Sequence, residues 1–221
     1  MARIARIVAL GLPHHITQRG NNRAGVFFGD EDRRHYLRLL TEFSDEFGLK
    51  IWAYCLMTNH LHLLAVPEAD DALAKGIGRT NLVYTQYVNE RYGRSGRLWQ
   101  NRFFSCPIQS DLYLWSVVRY IEQNPVRANL VKKPWDYPWS SARHHVNDYP
   151  DGVLADADWL DQNQREEYRR YLGQRDTDIV PAIRKATCSG RPLAAPEFVR
   201  KLETRLERVL HPKKPGRPRK R

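Results

Sequence analysis

The sequence predicts an α+β fold: an antiparallel sheet with helices packed on one face, followed by a small C-terminal helical appendage. Three observations predict it. Segments with strand-like and helix-like spacing follow one another as strand, helix, strand, strand, helix, strand, helix. Two apolar runs, KIWAYCLM and HLHLLAV, are separated only by Thr58 and Asn59, and strands that close in sequence must run antiparallel. Past residue 147 the texture changes to the acidic, turn-rich stretch NDYPDGVLADADWLD, which leads into helical segments.

Taken in order, PHHITQRG mixes β-branched and polar residues and ends at a Gly-Asn-Asn turn signal, so it is predicted to be a strand. DEDRRHYLRLLTEFSDEFG opens with acids and spaces Tyr36, Leu39, Leu40, Phe43 and Phe47 at helical intervals before Gly48 stops it. The two central strands follow, joined by a turn without the glycine that would make a hairpin secure. A second helix is expected over 70–92, carrying Leu73, Ile77, Val83, Tyr84 and Tyr87. RLWQNRFFSCPIQ is expected to form a strand at a sheet edge. Ser110 is expected to cap a third helix that Pro125 stops. The last helix should begin at Pro196 and align Phe198, Leu202, Leu206 and Val209. The expected units are 1–147, the appendage 148–211, and a basic tail 212–221 that cannot build a core.

The chain has 221 residues and 42% hydrophobic residues, enough for a folded core, with no apolar run of membrane-spanning length. The first twelve residues hold too short an apolar patch for a secretory signal. Cys55, Cys106 and Cys188 are few, odd in number and far apart, which argues against a disulfide framework or a four-cysteine zinc site. A reducing, cytoplasmic setting is expected. The net charge of +11 is concentrated: residues 1–29, 91–110 and 212–221 hold fourteen basic groups and no acid, so the rest of the chain nets −3. That distribution suits a polyanionic partner.

Alternation along a strand places His60 and His62 on one face and Leu61 and Leu63 on the other. With the leucines under the helices, the imidazoles are expected on the open face of the sheet. Two ring nitrogens on one strand make half a site for a divalent metal, although such pairs also occur as ordinary half-exposed strand residues. In SDLYLWSVVRYIEQNP, Leu114, Val117, Val118 and Ile121 form the apolar stripe, and Tyr120 and Asn124 stand four apart on its flank. From there they can face along a sheet without being buried under it.

At these residues the chain resembles a family. NHLHLL resembles the His-hydrophobic-His motif of the HUH single-strand nucleases, whose fold is ferredoxin- or RRM-like. RYIEQNPVRANLV resembles the tyrosine helix of the REP-associated tyrosine transposases, over roughly residues 10–145. SGRPLAAPEFV and KKPGRPRKR resemble the tail found in part of that family. The resemblance implies that His60 and His62 are metal ligands, Tyr120 the nucleophile and Asn124 the third ligand. Some relatives use Gln there, which keeps Gln123 open. Helix phase favours Asn124, because Gln123 is rotated about 100° further from the core. The implied cofactor is Mg2+ or Mn2+; imidazole ligands by affinity alone would favour Zn2+. The implied reaction is cleavage and rejoining through a 5′-phosphotyrosine bond. A phenol ionising near about 10 is a weak nucleophile at neutral pH, so the phosphate must be made the better electrophile.

The implied partners are single-stranded hairpins of REP-type palindromes, with no small-molecule substrate and no membrane. The chain is expected to be a bacterial, nucleoid-associated monomer. Candidate DNA contacts are Trp99, Phe103 and Phe104 beside Arg97 and Arg102, then Arg19, Asn22, Arg23 and Arg127, with core packing the alternative for at least one aromatic on each strand face. In the tail they are Lys213, Lys214, Arg217 and Arg219. PGRPRK resembles an AT-hook; a nonspecific phosphate tether is the alternative. His14, His15, His144 and His145 are read as surface or packing residues. Two rivals stand: a non-catalytic nucleic-acid binder using the sheet, and a metal-dependent hydrolase in which Tyr120 is structural.

Overall fold

A computed structural model describes residues 5–156, 159–174 and 178–211. Its sheet has four antiparallel strands: β1 (His14–Arg19), β2 (Leu49–Met57), β3 (His60–Pro67) and β4 (Phe104–Pro107). They lie in the order β2-β3-β1-β4, so β3 and β1 are central. Helix α1 (Asp30–Phe47) joins β1 to β2, and α2 (Gly78–Arg91), entered through a π turn at Leu73–Ile77, joins β3 to β4. After β4 come α3 (Ser110–Glu122), the short α4 (Asn124–Arg127) and α5 (Ala142–Asn147), then α6 (Arg165–Gly173), α7 (Val180–Ser189) and α8 (Pro196–Arg205).

Helix α1 forms as its spacing predicts. Tyr36, Leu39, Leu40 and Phe43 are buried, and Gly48 ends the helix in the left-handed region at φ 65. The buried carboxyl of Asp32 accepts the N–H groups of Phe28 and Gly29 at 2.7 and 3.1 Å. It thereby ties down the chain that enters the helix.

The β2–β3 turn manages without glycine, because its carbonyls are held from outside. The N–H of Gly20 donates to Asn59 O at 2.8 Å, and those of Val26 and Phe27 donate to Thr58 O at 2.9 and 3.2 Å. Gly20 itself is required by close approach: a Cβ there would stand 2.1 Å from Ala24 O.

The α+β antiparallel sheet is as expected, but its helices cover both faces rather than one. Leu61, Leu63, Ile16, Ile51 and Leu56 pack beneath α1 and α2 with Tyr36, Tyr84 and Trp99. On the opposite face Ala53, Cys55, Leu64 and Cys106 pack against Leu114, Val117, Val118 and Ile121 of α3, Tyr168 and Leu172 of α6 and Ile183 of α7. The physical reason lies in β2, whose last five residues are buried at both parities and therefore need cover on both sides. A third cluster sets Leu202 of α8 and Leu210 against Ile7 and Ala9.

Four local expectations are corrected. The strand expected over 97–109 is confined to β4, with a single bridge from Trp99 to Gly20 ahead of it. Ser110 is the first residue of α3, and no side chain caps that helix. Pro125 does not stop the chain's helical course. It lies in the first turn of α4, where its missing N–H has no helical partner to lose. Val209, aligned with the last helix, is exposed.

Candidate active site

Register places the histidines. Thr17 faces His62, Arg19 faces His60 and His15 faces Leu64 across β1–β3, while Cys55 faces His62 across β2–β3. Residues directly opposite in an antiparallel pair project to the same side. His15, Thr17, Arg19, His60 and His62 therefore share the face that α3 crosses.

Tyr120 reaches that group from α3. Its ring stands edge-on to both His15 and His62, at 5.5 Å between centroids in each case. His15 and His62 are stacked at 5.2 Å and 8°, and His60 meets His62 edge-on at 5.3 Å. The face is thus not fully open. His62 is 6% exposed and Tyr120 7%. A cleft of about 280 Å³ remains over the histidines, lined also by Arg19, Asn101, Arg102 and Phe104.

Each histidine is held through Nδ1. His60 Nδ1 lies 2.7 Å from Asn59 Oδ1, and His62 Nδ1 lies 3.0 Å from His15 Nε2. No hydrogen bond among the described residues reaches Nε2 of either ring. Burial holds His60 down at about 4, assisted by the charges of Arg19 and Arg127. Burial likewise holds His15 at about 3 and His62 well below the usual imidazole value, with Arg127 acting on both. Both candidate ligands are therefore neutral at physiological pH, the form that coordinates a metal.

Asn124 and Gln123 are separated by their partners. The Asn124 amide nitrogen donates to Tyr120 O at 3.0 Å and Ile121 O at 2.9 Å, which leaves Oδ1 without a hydrogen bond among the described residues. Gln123 instead donates through Nε2 to Leu172 O and Gln174 O at 2.7 and 2.6 Å, tying α3 to the end of α6. Gln123 is thereby occupied in joining helices. The described residues hold no cluster of three or more His, Cys, Asp or Glu able to bind a metal. A site of two imidazoles and an amide oxygen falls outside that donor set.

Arg127 sits with its guanidinium 4.5 Å from the Tyr120 ring centroid, donates to Tyr120 O, and presents a positive charge beside the phenol. Among the other candidate DNA contacts, Arg19, Asn22, Arg23, Arg97 and Arg102 are exposed, and Asn22 and Arg23 form a turn at φ 50 and 60. Trp99 and Phe103, expected to stack bases, are corrected. Trp99 is 8% exposed, donates from Nε1 to Asn81 O, and packs among Tyr36 and Tyr84. Phe103 is 6% exposed, with Arg6 over its ring. Phe104, one residue on, is the aromatic that borders the cleft. Lys213, Lys214, Arg217 and Arg219 lie outside the described residues.

Sequence reasoning missed His15, read as packing. Its hydrogen bonds run to His62 and to Thr187 Oγ1, the latter at 2.7 Å. Strand alternation put His15 on the face of Thr17 and Arg19, but only the β1–β3 register brings that face to His62.

Comparison with known proteins bears on the family and the fold. The family described as "Transposase IS200 like" matches residues 10–124, just over half of the chain. A curated Haemophilus influenzae protein named "Putative REP-associated tyrosine transposase" is 32% identical over 105 residues, covering 42% of this chain and 59% of the relative. The chain thus matches under two thirds of that relative's length. A solved structure of a REP-associated tyrosine transposase bound to a REP hairpin superposes with a TM-score of 0.54 at 21% identity. It covers 73% of this chain and 94% of that one, and the likeness is one of fold.

Proposed function

The chain belongs to the IS200-like transposase family, and on that premise we propose that it cleaves and rejoins single-stranded DNA by transesterification with Tyr120 as nucleophile. The observation that carries the proposal is the edge-on contact of Tyr120 with His62, beside two imidazoles whose Nε2 atoms face no protein partner among the described residues. Packing alone explains a buried tyrosine. It does not explain two neutral histidines, each anchored by one nitrogen and open at the other.

A divalent cation fits this donor set: two neutral imidazoles from His60 and His62 and the unengaged amide oxygen of Asn124. When bound it supplies Lewis acidity at the scissile phosphate. Mg2+ or Mn2+ is our proposal, on the family resemblance. The chain's own groups supply the rest. Tyr120 Oη forms the new bond to phosphorus as the bond to the 3′ oxygen breaks. The phenolic proton passes to solvent, and the leaving oxygen takes one from solvent to become a 3′-hydroxyl. Arg127, held against the Tyr120 ring, would put a positive charge beside the phenol and so favour an incoming phosphate. The phosphoester is exchanged rather than hydrolysed, so attack by a 3′-hydroxyl restores the strand without ATP.

The proposed substrate is a REP-type hairpin, in keeping with the family resemblance. Arg19 and Arg102 at the cleft, with Arg97, Asn22 and Arg23 beyond it, would follow the phosphates, and Phe104 would stack a base. The tail cations Lys213, Lys214, Arg217 and Arg219 would add affinity without specificity.

The test is incubation with a single-stranded palindrome and Mn2+, followed by a denaturing gel. Wild type should give a DNA-shifted protein band and Tyr120→Phe none. Cleaved but unattached DNA from both proteins would favour a hydrolase. Binding without any cleavage would favour a regulator that uses the sheet only for recognition.

A further inference from the structure

The chain of contacts behind His62 runs out of the sheet and into the appendage. Thr187, buried on α7, lies 2.8 Å from Ile183 O, one helical turn back, and its hydroxyl donates there. A hydroxyl has a single proton, so toward His15 Nδ1, at 2.7 Å, the Thr187 oxygen accepts. His15 therefore carries its proton on Nδ1 and offers the lone pair of Nε2. Across the 3.0 Å contact, His62 Nδ1 must then be the donor. The lone pair of His62 is left on Nε2.

Reversing the direction gives the opposite result. Were Thr187 to donate to His15, then His15 would donate to His62, whose Nε2 would carry a hydrogen and could bind no cation. The helical bond from Thr187 to Ile183 O favours the first, and Cys106 Sγ, 3.5 Å from the same oxygen, can donate to it as well. His60 is directed independently. Asn59 donates from Nδ2 to Arg23 O at 2.9 Å, which turns its Oδ1 toward His60 Nδ1 as an acceptor. Both rings reach the same tautomer by unrelated routes, the pattern of outer hydrogen bonds that orients metal-binding histidines.

We propose that His15 and Thr187 are positioning residues: a directed hydrogen-bond chain from α7 fixes His62 in the tautomer whose Nε2 is free for a divalent cation, making the appendage part of the metal site. This rests on the reading that His60 and His62 hold a metal.

The experiment uses the full chain with 15N-labelled histidine. Long-range proton–nitrogen correlation of the metal-free protein reads the tautomers, and calorimetric titration with Mn2+ reads affinity. Wild-type His62 should appear as the Nδ1–H form. Thr187→Val keeps the shape and removes the acceptor; it should give His62 mixed tautomers and weaken Mn2+ binding about tenfold or more. Thr187→Ser restores a hydroxyl and should restore both. His15→Phe, which keeps a ring in the stack, should weaken binding further if it folds, and the Thr187 pair decides the matter if it does not. Wild-type affinity and an unchanged His62 spectrum in Thr187→Val would overturn the proposal, as would an Nε2–H form in wild type. Failure of wild type itself to bind Mn2+ would instead remove the metal reading beneath it, and the inference with it.

Discussion

Glu122 is the residue whose removal most directly tests how the tyrosine helix is held. It lies two residues after Tyr120, is fully buried, and has three donors on its carboxyl oxygens. Ser141 Oγ and His145 Nδ1 donate to Oε1, each at 2.6 Å, and Tyr168 Oη donates to Oε2 at 2.8 Å. The three come from the segment entering α5, from α5 and from α6, so one side chain joins α3 to its neighbours. Glu122→Ala would orphan two of them. Ser141 has a second acceptor in Tyr54 O at 3.3 Å, but His145 Nδ1 and Tyr168 Oη have no second acceptor among the described residues. A buried donor left unpaired costs about 1–3 kcal/mol, so two give a loss of roughly 2–6 kcal/mol. That is a large share of the roughly 5–15 kcal/mol that keeps an ordinary domain folded. With a urea slope of about 2–3 kcal/mol per molar, the unfolding midpoint should fall by about 1–3 M. Glu122→Gln, which keeps an acceptor and the shape, should lose about half as much. A loss below about 1 kcal/mol for Glu122→Ala, or equal losses for both variants, would refute the assignment of these bonds as the staple of α3.

Asn124→Ala should weaken Mn2+ binding at least about tenfold by titration, whereas Gln123→Ala should leave it unchanged and lower the urea midpoint, because its amide joins α3 to α6. Trp99→Ala should cost about 3–5 kcal/mol of stability as a core truncation. Phe104→Ala should instead weaken single-stranded DNA binding by about 1–3 kcal/mol in a polarisation assay with stability little changed. His14 is buried and desolvation holds it at about 4 against 6.5 unfolded, so the unfolded chain binds the extra proton between those values. Its contribution is intact above pH 6.5 and is lost as pH falls toward 4. Against His14→Gln, wild type should therefore lose about 3 kcal/mol more across that window in pH-dependent urea melts.

What the sequence discloses depends on whether local spacing carries the information. Tyr36, Leu39, Leu40 and Phe43 announce α1, and the alternation of His60 and His62 with Leu61 and Leu63 announces which side of β3 matters. His15 carried no such mark, since its role depends on a pairing across 47 residues. The second layer of helices was half legible. AYCLM is apolar at both parities, which signals cover on both faces, but nothing local says that α6 and α7 provide it. Trp99 and Phe103 were misread because an aromatic next to arginines looks alike in a core and on a binding face. Only the positions of Asn81, Tyr36 and Arg6 distinguish the two.

The glycine-free turn between β2 and β3 bears on the order in which this protein folds. Thr58 and Asn59 have their carbonyls engaged by Gly20, Val26 and Phe27, which arrive from the segment after β1. The paired strands lack a turn that would favour them in isolation, so the hairpin should gain its register only when that segment docks. Asn59, which directs His60, is seated by the same event through Arg23 O. A peptide of residues 49–67 should therefore be largely unstructured, and the two histidines should acquire their shared orientation late, with assembly of the sheet rather than ahead of it.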